Sequence, residues 1–308
     1  MSKFAAAILA AAASSPIIDA RAPVVKGRVL LIDGDAIAYN CAGNDECDPG
    51  QARINALNKI ERAMQRGGCE SVKVLVTGRG SHKGHRYAVA RVKPYQGQRE
   101  GSRRPKNWEY LRGWVEAHEH ADLSTNAEAD DLFRKYGVVR GWENVVIHTQ
   151  DKDMRMCPGR HLTWSTLELV TVPEGTYDLV AGGLQYGLKW FWLQMLMGDA
   201  ADNIPGLPKY VNDKGNLAQC GEKTAEKLLA LASSNEEAKS LVRHHYKAYY
   251  GDEWDIQFLE QAVLLWMRRK PGNVFDVLDD GGAIGEPMPR AQDELMKRVA
   301  EAQAFQGA

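Results

Sequence analysis

Val29-Leu30-Leu31-Ile32-Asp33-Gly34-Asp35 is an apolar run cut short by two carboxylates flanking a glycine. Four aliphatic residues in a row, with no polar residue at alternate positions, read as a strand buried on both faces, and Asp-Gly is a turn signal that ends it. Residues 53–65 then carry apolar residues at helical spacing, and residues 72–76 form a second apolar strand. Residues 108–120 read as a helix, and Asn126 is placed to cap another whose first turn holds Glu128, Asp130 and Asp131. A third strand over 145–149 runs into Asp151-Lys152-Asp153. Strands alternating with helices at these spacings predict an α/β fold on a central, mostly parallel sheet.

Beyond Tyr186 the strand signal fades, and helical spacing takes over in residues 188–197, 224–232 and 257–267. A stretch from Gly281 with two prolines reads as a linker, and residues 291–305 as a closing helix. The expected organisation is therefore an α/β domain over residues 1–185 and a helical region over 186–308. At the amino terminus, residues 1–23 are alanine-rich with a single basic residue, Lys3, before the apolar run. Alanine's helix propensity favours a short surface helix there over a secretory signal.

Composition bounds the class. Hydrophobic residues make up 44% of the 308 and charged residues 26%, which excludes collagen-like, low-complexity and membrane-spanning chains. No apolar run approaches the roughly 20 residues of a bilayer crossing. The cysteines, Cys41, Cys47, Cys69, Cys157 and Cys220, are odd in number, scattered and free of CxxC pairs, which points to a reducing, cytoplasmic setting and away from structural zinc.

Net charge is only −1, but it is segregated. Between Arg79 and Lys106 stand nine Lys or Arg against one acid, Glu100, a local +8 that leaves −9 elsewhere. Such a block is either a solvated loop or the footprint of a polyanion such as nucleic acid. His82, His85, Tyr87, Tyr95 and Trp108 are interleaved with the cations and offer flat faces for stacking on unpaired bases, which favours nucleic acid. Lys83, Arg86, Tyr95, Arg103 and Arg104 are the expected contacts.

Four acidic clusters balance that block: Asp33 with Asp35; Glu128, Asp130 and Asp131; Asp151 and Asp153; Asp199 and Asp202. Two of them directly follow apolar strands, at the carboxyl ends where open parallel sheets bind ligands. Singly, each pair reads as a solvated turn or a helix cap. Together they read as one site, because converging carboxylates repel one another and require cations to coexist. All-oxygen ligation selects Mg²⁺, with Mn²⁺ as a substitute, and two such ions about 4 Å apart suit phosphodiester hydrolysis. Separately, Gly221-Glu222-Lys223-Thr224-Ala225 precedes a helix and lacks the spacing of a Walker loop. It reads as a backbone cradle for phosphate at a glycine turn.

In this order the motifs resemble the 5′-nuclease (flap endonuclease) family, PIN-like α/β proteins that include phage 5′→3′ exonucleases and the 5′-nuclease domain of family A DNA polymerases. Ile32-Asp33-Gly34, Glu128-Ala129-Asp130-Asp131, Gln150-Asp151-Lys152-Asp153 and Gly198-Asp199-Ala200-Ala201-Asp202-Asn203-Ile204-Pro205-Gly206 carry the likeness. Residues 221–229 are similar to the family's helix-hairpin-helix, and Asp33-Gly34-Asp35 and the helical segment around Gln261 look most like the phage exonucleases. The resemblance implies a helical arch over about residues 79–120, a helix-hairpin-helix that grips duplex DNA through Gly221, Lys223 and Thr224, and K⁺ at that turn. It also implies two metal ions, with Asp33, Glu128 and Asp130 around one and Asp131, Asp151, Asp153, Asp199 and Asp202 around the other. Implied too are a monomer acting in replication or repair, in the host cytoplasm for a phage-encoded chain, and a substrate of DNA 5′ ends or flaps, RNA–DNA hybrids included.

Three departures stand out. Thr77-Gly78-Arg79 lacks a carboxylate common after the second strand. The family's Tyr-Lys-Gly-x-Arg run, whose lysine and arginine contact the scissile phosphate, reads Tyr95-Gln96-Gly97-Gln98-Arg99, so Arg99 is kept and Lys93 or Arg91 is expected to replace the lysine. Residues 207–220 contain an insertion. The rival enzyme reading is a haloacid-dehalogenase-type phosphatase using Asp33 and Asp35. The rival non-enzyme reading is a DNA junction-binding protein with weakened catalysis.

Overall fold

The structure is a computed structural model describing residues 21–99, 101, 103–207, 209–212 and 214–306. The surface helix expected of the alanine-rich start lies, up to residue 20, outside the described residues. Strand β1 (Val25–Asp33) is central in a six-stranded sheet of order β3-β2-β1-β4-β5-β6, with β2 Cys69–Thr77, β3 Ala121–Ser124, β4 Val145–His148, β5 Gly159–Leu162 and β6 Leu169–Val172. Only the β5–β6 pairing is antiparallel. Ile32 stands opposite Val74 on one side and His148 on the other, so Asp33 and the residues after β4 emerge at the same edge.

Burial on both faces explains the apolar run in β1: Leu30, Leu31 and Ile32 are fully buried. Leu30 and Ile32 pack with Ala52, Ala56, Ile60 and Ala63 of helix α2 (Pro49–Gly67), and with Leu111 and Val115 of α4 (Trp108–Glu116). Small residues along α2 let it lie close to the sheet. Asp48 caps its amino end with Pro49 in the first turn, and Gly68 closes it at φ 62°. The opposite face carries Val29 and Leu31. It packs on Leu132 and Phe133 of α5 (Ala129–Arg140) and continues without a break into Trp190, Phe191, Tyr246 and Phe258, from helices α6 (Leu188–Met197), α8 (Asn235–Tyr250) and α9 (Trp254–Leu265).

The sequence locates the central strands and most of the long helices, with several differences. Helix α4 stops at Glu116 and the chain turns into the edge strand β3, so residues 108–120 belong to the body. Among its described residues the basic segment of the expected arch holds short helices, α3 (Arg86–Val89) and 3₁₀ turns at Lys83–His85 and Gly97–Arg99. The insertion forms a two-stranded ribbon, β9 (Lys209–Val211) with β10 (Leu217–Gln219), in which Tyr210 meets His245 of α8 edge to face. It leads into α7 (Glu222–Leu228). The remaining elements are α1 (Gly34–Asn40), the hairpin β7–β8 (Leu179–Ala181, Leu184–Tyr186) and α10 (Pro289–Gln306). No helix among the described residues is long and apolar enough to cross a membrane.

Candidate metal centre and active site

Asp33 ends β1 and caps α1, accepting from the Ala36 N–H at 2.8 Å and the Thr149 hydroxyl at 2.8 Å. Thr149 also accepts the Asp151 N–H at 3.0 Å, and Asp151 in turn accepts the Asp153 N–H at 2.7 Å. The turns after β1 and β4 are thus tied together by one hydroxyl, which the sequence did not single out. Asp130 adds the first turn of α5, and its carboxyl is pushed well up by burial, then by the charges of Asp151, Asp33 and Glu128. Burial, then Asp202, raises Asp151 to about 6, and burial outweighs the two hydrogen bonds on Asp33 to raise it as well. Asp153 is raised by burial first and Asp151 second. Carboxyl groups packed this closely repel one another's charge, and a bound cation would relieve that repulsion.

The second half of the cluster rests on a closed loop. Gly198 and Gly206 sit back to back: a Cβ on Gly206 (φ 63°) would lie 2.2 Å from the Gly198 nitrogen. Asp199 and Ile204 exchange backbone bonds at 2.8 and 2.7 Å, and Gln261 of α9 accepts the Gly206 N–H at 3.0 Å. Asp153, Asp199 and Asp202 thereby present oxygens within 4.8 Å of one another. Lys152 bridges two of them, 2.7 Å from Asp199 and 3.1 Å from Asp153.

The run 95–99 docks on this loop. Gln98 bonds the Ala200 carbonyl at 2.9 Å, and Arg99 reaches Asp202 at 2.6 Å. The Tyr95 hydroxyl lies 2.9 Å from Glu128 and 3.0 Å from Asp202, and Gln96 donates to Asp202 at 2.7 Å. Asp33, Glu128, Asp130, Asp151, Asp153, Asp199 and Asp202, drawn from four separate segments, therefore form one connected acidic site.

Asp131 is placed otherwise. Fully buried, its carboxylate takes a bidentate pair from Arg86 at 2.8 and 2.9 Å and the Arg268 N–H at 2.9 Å. Burial alone would raise it, but Arg86 and then Arg268 hold it below the usual carboxylate range. Arg86 is itself fully buried, so the expectation that it touches DNA is corrected, and the Asp131 carboxylate expected at a metal is taken up here by that ion pair. Tyr95, 4% exposed, cannot offer its face to a base as expected and instead braces two acids. Arg91 turns to Glu301 of α10 at 3.0 Å, away from the site expected for it, and Lys93 is exposed. Asp35 is held by Arg112 and by the Thr77 N–H at 3.2 Å, which removes the free second carboxylate the phosphatase reading requires.

The basic block is answered largely from within. Arg79, Lys83, Arg86, Arg91, Arg99 and Arg103 pair with Glu109, Glu128, Asp131, Glu301, Asp202 and Asp45. The exposed pairs among these, those of Arg79, Arg91 and Arg103, contribute little and can be exchanged for phosphate. Arg103 is largely exposed, and Arg104 stacks on Trp108 with its guanidinium 4.0 Å from the ring. Gly221 and Lys223 are exposed and Thr224 half-buried at the start of α7.

Comparison with known proteins agrees with the fold. The T5 5′-exonuclease with bound zinc superposes with a TM-score of 0.55 at 15% identity, covering 89% of this chain and 98% of that one. The bacteriophage T5 flap endonuclease, in a pseudo-enzyme-product complex with DNA and metal ions, gives 0.53 at 13% identity over 89% and 98%. The fold is that of the 5′-nucleases. In sequence, the thermostable DNA polymerase I of Thermus aquaticus is 29% identical over 262 residues, 75% of this chain and 28% of that enzyme. Its counterpart in Thermus thermophilus is 28% identical over 224 residues, 66% of this chain and 24% of that enzyme. The chain thus spans about a quarter of the length of these curated relatives. No protein-family model matches it.

Proposed function

We infer that the chain is a divalent-metal-dependent 5′-nuclease that hydrolyses phosphodiester bonds at DNA 5′ ends or flaps, and in RNA–DNA hybrids, during replication or repair. The observation that carries this reading is the convergence of seven carboxylates at one edge of the sheet, facing a segment rich in cations. Mg²⁺ suits these hard oxygen donors, and Mn²⁺ can replace it. Asp33, Asp130 and Asp151 would hold one ion, with Glu128 beside them, and Asp153, Asp199 and Asp202 a second. Bound there, the ions supply Lewis acidity for the phosphodiester and for the water that attacks it.

The chain's own residues do the rest. Thr149 and the Ala36 N–H fix the Asp33 carboxylate. Arg99, 52% exposed at its side chain and paired with Asp202, would exchange that carboxylate for a substrate phosphate. Exposed Arg103 and Arg104 offer charge to the single strand. The turn at Gly221, Lys223 and Thr224 offers N–H groups to duplex phosphates, with K⁺ as a bridging ion, and such contacts position without reading sequence. A reducing, cytoplasmic setting fits the five free thiols, and the reading takes the chain to act as a monomer.

The test is a 5′-flap duplex labelled at either end, incubated with Mg²⁺ or with chelator. Release of a short 5′-labelled product only with metal, and its loss in Asp151→Ala while duplex binding in Ca²⁺ is retained, is the expected result. Failure of the wild-type chain to cut any 5′-ended or flapped substrate with Mg²⁺ or Mn²⁺ overturns the proposal.

A further inference from the structure

Beside the acidic cluster lies a cavity of about 900 Å³ lined by Lys83, Tyr87, Tyr95, Gln96, Arg99 and Arg104. Among its lining residues is Lys83, whose ammonium lies 3.3 Å from Glu128 and against the Gln96 carbonyl oxygen, with the Tyr87 and Tyr95 rings 5.6 and 5.9 Å away. The side chain is only 18% exposed. Its backbone is held from three directions: its N–H by the Ser81 hydroxyl at 3.1 Å, its carbonyl by buried Arg86 at 3.3 Å, and the next N–H, of Gly84, by the Asn126 carbonyl at 3.0 Å.

Left-handed backbone at non-glycine residues gathers here, at Lys83 (φ 50°), His85 (66°), Gln96 (54°) and Asn203 (59°) of the facing loop. Each such residue costs about 1–3 kcal/mol and persists only where its surroundings over-determine it. Here the conformation aims one charge. Gln96 completes the mounting, since its amide nitrogen donates to Asp202 and approaches Glu128 while its oxygen faces Lys83.

Resting on the 5′-nuclease reading, we propose that Lys83 is the cation that holds the reacting phosphate, supplied from thirteen residues upstream of the glutamine that occupies the expected lysine position. A phosphodiester gains negative charge as it is attacked, and a site walled by carboxylates repels that charge unless a fixed cation stands opposite them. Arg91, bound to Glu301, and Lys93, exposed, have no comparable mounting toward the cluster. Gln96 acts as a positioning residue that orients the Lys83 ammonium. Tyr87, half exposed at the rim, offers a face for the base attached to that phosphate.

The experiment compares wild type, Lys83→Met, Lys83→Arg, and Lys83→Met combined with Gln96→Lys. Single-turnover cleavage of a 5′-flap duplex is measured at saturating enzyme and Mg²⁺, with duplex affinity measured in Ca²⁺ and the Mn²⁺-induced rise in Tm followed for each. Loss of one fixed electrostatic donor typically costs about 10²–10³ in rate. Lys83→Met is expected to fall in that range with affinity and the Mn²⁺ response within threefold of wild type. Lys83→Arg is expected to keep most of the rate, and the added lysine at 96 to restore at least tenfold. A cutting wild type with Lys83→Met within threefold of its rate overturns this assignment and leaves the nuclease reading standing. A wild type that cuts nothing overturns both.

Discussion

Replacing Arg86 by Met tests whether the buried Arg86–Asp131 pair is structural. The guanidinium makes two bonds to Asp131 at 2.8 and 2.9 Å and one to the Trp266 carbonyl at 2.9 Å, with weaker ones to Leu264 and Lys83 at 3.3 Å. It thus joins the short helix α3, the amino end of α5 and the carboxyl end of α9. Methionine fills much of the space but leaves a fully buried carboxylate with backbone donors only. Removing one partner of such a pair costs about 3–5 kcal/mol. At the low end of the usual scale for large domains, about 2 °C per kcal/mol, Tm should fall by roughly 6–10 °C.

Arg86→Met combined with Asp131→Leu should recover most of that loss, because exchanging a buried pair for apolar residues is close to neutral. The dependence on pH has a definite sign. The folded Asp131 carboxyl lies below its unfolded value, so its contribution is present above about pH 4 and is lost as pH falls through the folded value. Wild type should therefore lose its advantage over Arg86→Met in acid. Urea and thermal unfolding of metal-free protein at pH 7 and pH 3 measure both effects. If Arg86→Met unfolds within 1 kcal/mol of wild type, or if Asp131→Asn weakens metal binding with stability unchanged, the pair is not structural and Asp131 returns to the ligand set.

The acidic cluster has the opposite sign. Asp33, Asp130, Asp151 and Asp153 are raised in the folded chain, so the stability they contribute without metal is complete below about pH 4 and is lost as pH rises through values such as the 6 of Asp151. The Mg²⁺-induced rise in Tm should accordingly be larger at pH 8 than at pH 5, and equal rises would contradict the shared site. Lys152→Met removes the ammonium between Asp153 and Asp199, which should lower metal-free Tm and steepen its response to Mn²⁺. An unchanged Mn²⁺ titration would count against a cation site there. Gly206→Ala forces a Cβ against Gly198 at positive φ and should cost at least about 2 kcal/mol and most cleavage activity; a fully stable variant would mean that the loop is not closed as described.

The central sheet was legible because burial on both faces leaves long apolar runs, and acids placed immediately after them mark the functional edge. Elements lacking that contrast were hidden. Strand β3 is an edge strand of sequence Ala-Asp-Leu-Ser with Leu123 42% exposed, so it needs no apolar run. Helix α8 buries Ala238, Val242 and Tyr246, one residue per turn among charged neighbours, too thin a stripe to stand out. The basic segment read as a row of cations open to nucleic acid, Arg86 included, because composition cannot tell an exposed arginine from Arg86, whose partner is 45 residues away in sequence and whose burial is set by helices near the other end of the chain.

The two halves of the acidic site are neutralised differently, and that difference orders its chemistry. Asp153 and Asp199 share an internal ammonium in Lys152, and Asp202 is braced by Tyr95, Gln96 and Arg99. Asp33 and Asp151 are held by a hydroxyl and backbone N–H groups, which orient a carboxylate without cancelling its charge. Asp130 faces both across the edge and is raised by each. The unmet negative charge is therefore concentrated between β1, β4 and α5, so the demand for a first divalent ion is greatest there. On the two-ion reading proposed above, an ion in the other half would share oxygens with Lys152 and Arg99, while a substrate phosphate that draws Arg99 off Asp202 would leave that carboxylate with only the neutral donors Tyr95 and Gln96, its charge uncancelled. Substrate and second ion should thus bind with mutual reinforcement, a coupling built from the same exchange of carboxylate for phosphate at a single arginine.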